Sequence, residues 1–424
     1  MNTIEKYKKY VNTAFVKAVE PIVVDKAKGT KVYGEDGKEY TDLYAGIAVV
    51  NVGHGNPEVI EAAKAQMDKL VHCCSYVYHN KPVADLAEKL AELAPGKLEK
   101  TFFANSGAEV NEGAMRIAKQ YTKKTEFIAL QGSFHGRSLA TLSITGNKDR
   151  KKGGGPYLSG IAFHPAPYCY RCPYDKKYPE CGVYCAKMLE KTIQYDTSGD
   201  VAAFIAETIM GEGGIIIPPK EYYQEIKKVL DKHGILLLLD EVQCGMGRSG
   251  KLFAVEHYGV EPDIMTLAKG IAAGFPLGAF ISSKEIADSF KPGDHLSTFG
   301  GNPVSCAASL ANFKYIVRED IPGKALKKGA KLVEELKELQ KKYSLIGDVR
   351  GLGFMVGVEL VRDANKTPAN EEAGKIRAMM REKGYLIGAG GTFGNVLRIQ
   401  PPLTISSEEL SAAVSALADC FKAL

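Results

Sequence analysis

Four short aliphatic runs, residues 127–130, 202–206, 235–239 and 264–267, constrain this chain most, because each leads into a polar residue at or just past its end. Amphipathic patterns such as residues 222–232 lie between such runs. A strand of four or five apolar residues is covered on both faces, and an intervening helix lets successive strands run parallel. The expected fold class is α/β, a mostly parallel sheet held between layers of helix. Ligands in such sheets sit at the carboxyl ends of the strands, so the residues just past each run are the ones to read.

The ends of the chain look different. Residues 20–50 read as strands with a hairpin over 33–40, turning at Asp36-Gly37. From about Pro322 the pattern is Lys- and Glu-rich helix, then a strand over 351–360, then helix, then a strand over 396–399. We expect a large α/β domain over 60–310, flanked by a smaller α+β domain built from both termini, 1–59 and 311–424. At 424 residues the chain is long enough for two or three cores.

Composition excludes several classes. With 45% hydrophobic and 25% charged residues the chain is neither disordered nor fibrous. Lys plus Arg 55 against Asp plus Glu 50 leaves +5, spread too evenly for a nucleic-acid-binding stripe. No aliphatic run approaches the roughly 20 residues of a membrane span, and the first ten residues lack the apolar core of a signal peptide. A cytoplasmic enzyme with no nucleic-acid or membrane partner is expected.

Chemistry gathers where the runs end. The 235–239 run delivers Asp240-Glu241-Val242-Gln243, and the 264–267 run delivers Ala268-Lys269-Gly270. A lysine held in a cleft has its pKa lowered by desolvation and becomes a nucleophile. Gly270, Gly274 and Gly278 clear space for a flat ligand. Ser106-Gly107-Ala108 opens a helical pattern over 110–120 and offers bare N–H groups to a phosphate. Phe134 in Gly132-Ser-Phe-His-Gly-Arg137 could stack on a planar ring, and Arg137 could take a carboxylate. Each feature alone also reads as ordinary structure: a cap, a solvated strand end or a core aromatic. Together they are what pyridoxal 5'-phosphate requires.

These residues, with Gly46-Ile-Ala-Val-Val-Asn51, Asn105-Ser-Gly-Ala-Glu109, Gly211-Glu-Gly-Gly214, Thr298-Phe-Gly-Gly-Asn-Pro303 and Leu397-Arg-Ile399, give a sequence that closely resembles the class III (ω-) aminotransferases of fold type I, near the 4-aminobutyrate aminotransferases. The resemblance covers nearly the whole chain. It implies that Lys269 holds the cofactor covalently and, once displaced, carries the proton, and that Asp240 keeps the pyridine nitrogen protonated. It also implies that Ser106, Gly107 and Ala108 seat the phosphate, that Phe134 and Val242 cover the two ring faces, and that Gln243 meets the ring hydroxyl. Thr298 is expected to reach the neighbouring subunit's phosphate, making a homodimer, alone or doubled to a tetramer, the working unit. Arg398 should grip the α-carboxylate of a keto acid (2-oxoglutarate or pyruvate). Glu212 should swing in to neutralise Arg398 when an amine donor with a distal amino group occupies the site. Arg137 should take the donor's far carboxylate, with Ile47 lining the pocket. The alternative on the same scaffold is an amino-acid racemase or epimerase.

One stretch departs from the pattern. Cys169, Cys172, Cys181 and Cys185 form C-x2-C-x8-C-x3-C, spacing that suits a four-thiolate metal site or, failing that, reduced or disulfide-paired loop cysteines. His54 is expected to be structural, and His135 to pack behind Phe134 without a catalytic role.

Overall fold

A computed structural model describes residues 1–12 and 19–424. Its central sheet has seven strands in the order Lys100–Ala104, Gly278–Ser282, Ile264–Leu267, Leu236–Asp240, Val201–Glu207, Glu126–Leu130, Ile161–His164. From Ile264–Leu267 to Ile161–His164 every pairing is parallel, while Gly278–Ser282 runs antiparallel to both neighbours. The link 268–277 explains that reversal, since a parallel crossover takes about a dozen residues or more. Val201–Glu207, Ile264–Leu267 and Gly278–Ser282 are buried at every position, as expected of a sheet covered on both faces. The fold class read from the aliphatic runs is the one observed.

Two smaller sheets use the chain ends. Val24–Lys28, Lys31–Gly34 and Glu39–Asp42 form an antiparallel meander, and Tyr385–Leu386 adds to it parallel to Glu39–Asp42, so both termini share one sheet. The second, antiparallel throughout, has the order Ile346–Leu352, Met355–Leu360, Val396–Ile399, Gly388–Gly390. The single strand expected over 351–360 is instead the turn and return of a hairpin. Gly353 makes that turn at φ +56°, and a Cβ there would lie 2.4 Å from the Ser249 carbonyl carbon, so only glycine fits. The helix Ile321–Lys342 turns Ala325, Leu332, Leu336 and Leu339 inward, an apolar stripe at helical spacing. One hydrophobic cluster runs from Leu86 and Phe103 beside the central sheet to Leu417 and Phe421 in the last helix. Among the described residues no helix is long and apolar enough to cross a membrane.

Candidate active site

Asp240 ends a buried strand and is itself buried. Its Oδ2 accepts from the Asn111 amide and from His135 Nδ1, both at 2.8 Å, and its Oδ1 accepts from the Val242 N–H at 2.9 Å. The Asn111 amide is oriented by Thr266, whose hydroxyl donates to its carbonyl oxygen at 2.7 Å. A carboxylate offers about four lone-pair sites, so three donors leave room for one more, such as a protonated ring nitrogen. His135 therefore does more than pack behind Phe134: it donates to Asp240 and fixes the carboxylate's position. Asn111 and Thr266 were not legible as site residues, because both sit in ordinary-looking helix and strand and meet Asp240 only through packing.

Lys269 begins the turn Lys269–Ala272 just past the next strand, at φ +48°, a left-handed conformation costly for a residue with a Cβ. Such local strain is characteristic of functional sites. Desolvation lowers its amine pKa, opposed by Asp240 and Glu207 and reinforced by Arg398. A lowered pKa raises the fraction of neutral amine, the form that attacks a carbonyl or accepts a proton. Glu207, the last residue of the strand Val201–Glu207, was not singled out in the sequence although its run was. It accepts from the N–H groups of Phe134 at 2.9 Å and Gly211 at 2.8 Å, and burial pushes its carboxyl up to about 7.

Lys269, Asp240 and Glu207 share one cavity of about 350 Å³ with Ser106, Gly107, Ala108, Phe134, Val242 and Gln243. Ser106 caps the helix Gly107–Thr122, its hydroxyl accepting from the Glu109 N–H at 3.3 Å. The first N–H groups of that helix have no partner inside it, and they meet an anion at the positive end of the helix dipole. Gly107 is bare for a reason: a Cβ there would stand 2.9 Å from Val242 Cγ1. Gln243 is held by Gln400, whose amide donates to Gln243 Oε1 at 3.0 Å. A lysine, a buried acid with one acceptor position left, an open helix start and a flanking aromatic fit pyridoxal phosphate.

The residues expected to meet substrate, Ile47, Arg137, Glu212 and Arg398, are not among those lining this cavity. Residues 45–48 form a left-handed turn, with φ +49° at Ala45, +62° at Gly46, +70° at Ile47 and +59° at Ala48. Asp42 pins it by accepting from the N–H groups of Tyr44 and Ala45, and His54 bonds the other Asp42 oxygen at 2.8 Å, the structural role expected for this histidine. The turn sets the Tyr44 hydroxyl on Arg398. Arg398 is buried on the strand Val396–Ile399, donates through Nη2 to Tyr44 and to the Ala389 carbonyl, and has no partner on Nε or Nη1. Glu212 does not pair with Arg398 in this state. Its Oε1 accepts from Arg150 Nε. Arg137 is exposed, with its guanidinium 5.5 Å from the Phe134 ring centroid. Thr298 is exposed and lies outside its own chain's cavity, between exposed Leu296 and Phe299.

Cys169, Cys172, Cys181 and Cys185 come together around one small pocket, and all four are free thiols. Burial first, then the neighbouring thiols, push Cys169 up to about 11 and Cys185 up to about 12, which keeps these two protonated at neutral pH. Among the described residues no group of three or more His, Cys, Asp or Glu side chains is arranged to hold a metal ion. The segment is anchored by other means: Tyr168 and Arg171 bond Glu359, and Lys366 bonds the Tyr170 carbonyl at 2.6 Å.

Glu241, next to Asp240, serves the fold. It accepts from Thr208 Oγ1 and from the N–H groups of Ala254 and Val255, and burial pushes its carboxyl up to about 7. Between about pH 4.5 and 7 the fold keeps a proton that the unfolded chain has lost. The contribution of Glu241 to stability therefore falls as pH rises through that window, by about 3 kcal/mol. Glu241→Gln, which cannot titrate, should lose that part of the slope. Denaturant midpoints of both proteins at pH 5 and pH 8 measure it, and equal slopes would contradict the assignment.

Known proteins match nearly the whole chain. The family described as aminotransferase class-III matches residues 14–421. A leucine/methionine racemase of Thermococcus litoralis is 40% identical over 98% of this chain and 94% of its own length. A 5-aminovalerate aminotransferase of Pseudomonas putida is 38% identical, covering 95% and 94%. The solved structure of an amine transaminase from an uncultivated Pseudomonas species, in its PLP-bound form, superposes with a TM-score of 0.92 at 34% identity over 98% of each chain. With a lysine and an aspartate at adjoining strand ends of the same α/β sheet, the chain belongs to the class-III aminotransferases, pyridoxal-phosphate enzymes that pass an amino group from an amine donor to a keto acid.

Proposed function

We propose that the chain transfers the distal amino group of an ω-amino acid, 4-aminobutyrate-like or β-amino, to an α-keto acid such as 2-oxoglutarate or pyruvate. The observation that carries this reading is the buried Arg398, with two donor positions unfilled and close enough to Lys269 to lower its pKa. Pyridoxal phosphate, when bound, supplies an aldehyde that condenses with amines and a ring that takes up the electron pair left by deprotonation. The protein does the rest. Lys269 Nζ would hold the cofactor and, once released, would take and return the substrate's proton. Asp240, braced by His135 and Asn111, holds the proton on the ring nitrogen. Arg398 grips the carboxylate beside the reacting carbon through Nε and Nη1, and Arg137 takes a carboxylate at the far end.

Arg398→Ala should weaken the keto-acid half-reaction by roughly 10²-fold in kcat/KM, the scale of a lost charge-assisted pair, while an ω-amine donor, with no carboxylate beside its reacting carbon, is little affected. Stopped-flow absorbance of each half-reaction measures both, and equal losses would contradict the assignment.

A homodimer in the cytoplasm is the proposed working form; the exposure of Leu296, Thr298 and Phe299 supports the dimer. A sedimentation mass near twice 45.9 kDa, or a multiple of that pair, tests it. The likeness to the Thermococcus racemase supports a second reading, return of the proton to the same substrate carbon. Incubating one L-amino acid without any keto acid separates the two: the D-form signals racemisation, and a ketone with aminated cofactor signals transamination.

A further inference from the structure

Glu212 and Arg398 are tied to one short stretch of backbone. Arg398 Nη2 donates to the Ala389 carbonyl at 3.2 Å, and two residues on, the Gly391 N–H donates to the Glu212 carbonyl at 3.0 Å. A glutamate so placed has an arginine with two empty donor positions for a neighbour, yet its carboxylate is ion-paired with Arg150. Glu212 is buried, and the Arg150 side chain is 31% exposed. Arg150 is not loosely placed. Its helical turn Lys148–Lys151 is capped by Asn147, whose N–H donates to the Ser133 carbonyl at 3.1 Å, while Gly146 donates to the Ser133 hydroxyl. Ser133 precedes Phe134, so the turn bearing Arg150 is fastened to the loop that flanks the cofactor cavity.

From this geometry we infer that Arg150 is a positioning residue that sets substrate choice by holding Glu212 away from Arg398. With Glu212 on Arg150, the Arg398 guanidinium stays open to the carboxylate beside an α-keto or α-amino carbon. When an ω-amine brings no carboxylate to that position, Glu212 exchanges Arg150 for Arg398, leaving the partly exposed Arg150 side chain behind. The exchange moves the carboxylate from a partly exposed cation to the buried one, where an unmatched charge costs more. Two arginines compete for one carboxylate, and their balance sets the relative affinity for α-carboxylates and ω-amines.

This inference rests on the transaminase reading above, and a double-mutant cycle tests it on the holoenzyme. The probes are 2-oxoglutarate and pyruvate against the aminated enzyme, and 4-aminobutyrate against the cofactor-loaded enzyme, each followed by visible absorbance. Arg150→Ala should raise the apparent Kd of both keto acids roughly tenfold, as Glu212 moves onto Arg398, and leave 4-aminobutyrate unchanged or tighter. In a Glu212→Gln background, where no carboxylate is left to move, the same substitution should have no effect on pyruvate. Arg150→Lys, which can still pair with Glu212, should restore most of the keto-acid affinity and stands in if the alanine variant does not fold. A pyruvate penalty that persists in the Glu212→Gln background would show that Arg150 acts without Glu212 and would overturn the inference, as would no penalty at all. If the wild-type enzyme turns over neither donor nor acceptor but interconverts amino-acid enantiomers, the functional reading fails separately, and the α-carboxylate affinities still report on Arg150.

Discussion

Lys269→Ala should leave a folded protein that binds pyridoxal phosphate without a covalent bond and transaminates at least about 10⁴-fold more slowly than the wild type. Two roles are lost at once. The amine at the end of the strand Ile264–Leu267 is the nucleophile that tethers the cofactor, and it is also the group that carries the proton, itself worth about 10²–10⁴-fold. Its environment suits both, because desolvation lowers its pKa while Asp240 and Glu207 limit the fall. The visible absorbance of the bound cofactor, read before and after gel filtration, reports the tether, and single-turnover rates with an amine donor report the proton carrier. An added primary amine should restore part of the rate by standing in for the missing side chain. A variant that retains the absorbance through gel filtration and turns over within tenfold of wild type would contradict the assignment.

Asp240→Asn should be the next most damaging substitution, by roughly 10²–10⁴-fold in kcat. That is the rate equivalent of the 3–5 kcal/mol at stake when one partner of a buried charged pair is removed. The amide is nearly the same size, but it places a neutral group, with N–H donors of its own, where His135, Asn111 and Val242 all aim donors. The ring nitrogen then loses the anion that keeps it protonated. Cofactor binding should fall far less than turnover. Titration of the apoenzyme with pyridoxal phosphate, set beside kcat, separates the two, and a parallel loss in both would indicate a merely structural role.

Four of the sheet's seven strands were legible because they are buried at nearly every position and read as short apolar runs, and two of their ends present Asp240 and Lys269 in plain view. Lys100–Ala104 and Ile161–His164, only partly buried, gave no such run. Glu207 sits at the same kind of strand end and was passed over, since an acid there reads as readily as a helix cap. Asn111 had no local signal at all: it is one polar residue in the helix Gly107–Thr122, and only the packing of that helix against the sheet brings it to Asp240. The hairpin at Gly353 was hidden because valine, methionine and leucine continue on both sides of its turn. The pairing of Glu212 was also out of reach. Its carboxylate was matched to Arg398 by likeness to a family, whereas the state seen here depends on a short turn at 148–151 that periodicity does not resolve.

Reduction of the holoenzyme with borohydride, followed by digestion and mass spectrometry, tests the central claim most directly. The phosphopyridoxyl group should be found on the peptide containing Lys269 and on no other lysine; its recovery on a different peptide, or its absence from all of them, would contradict the site described here.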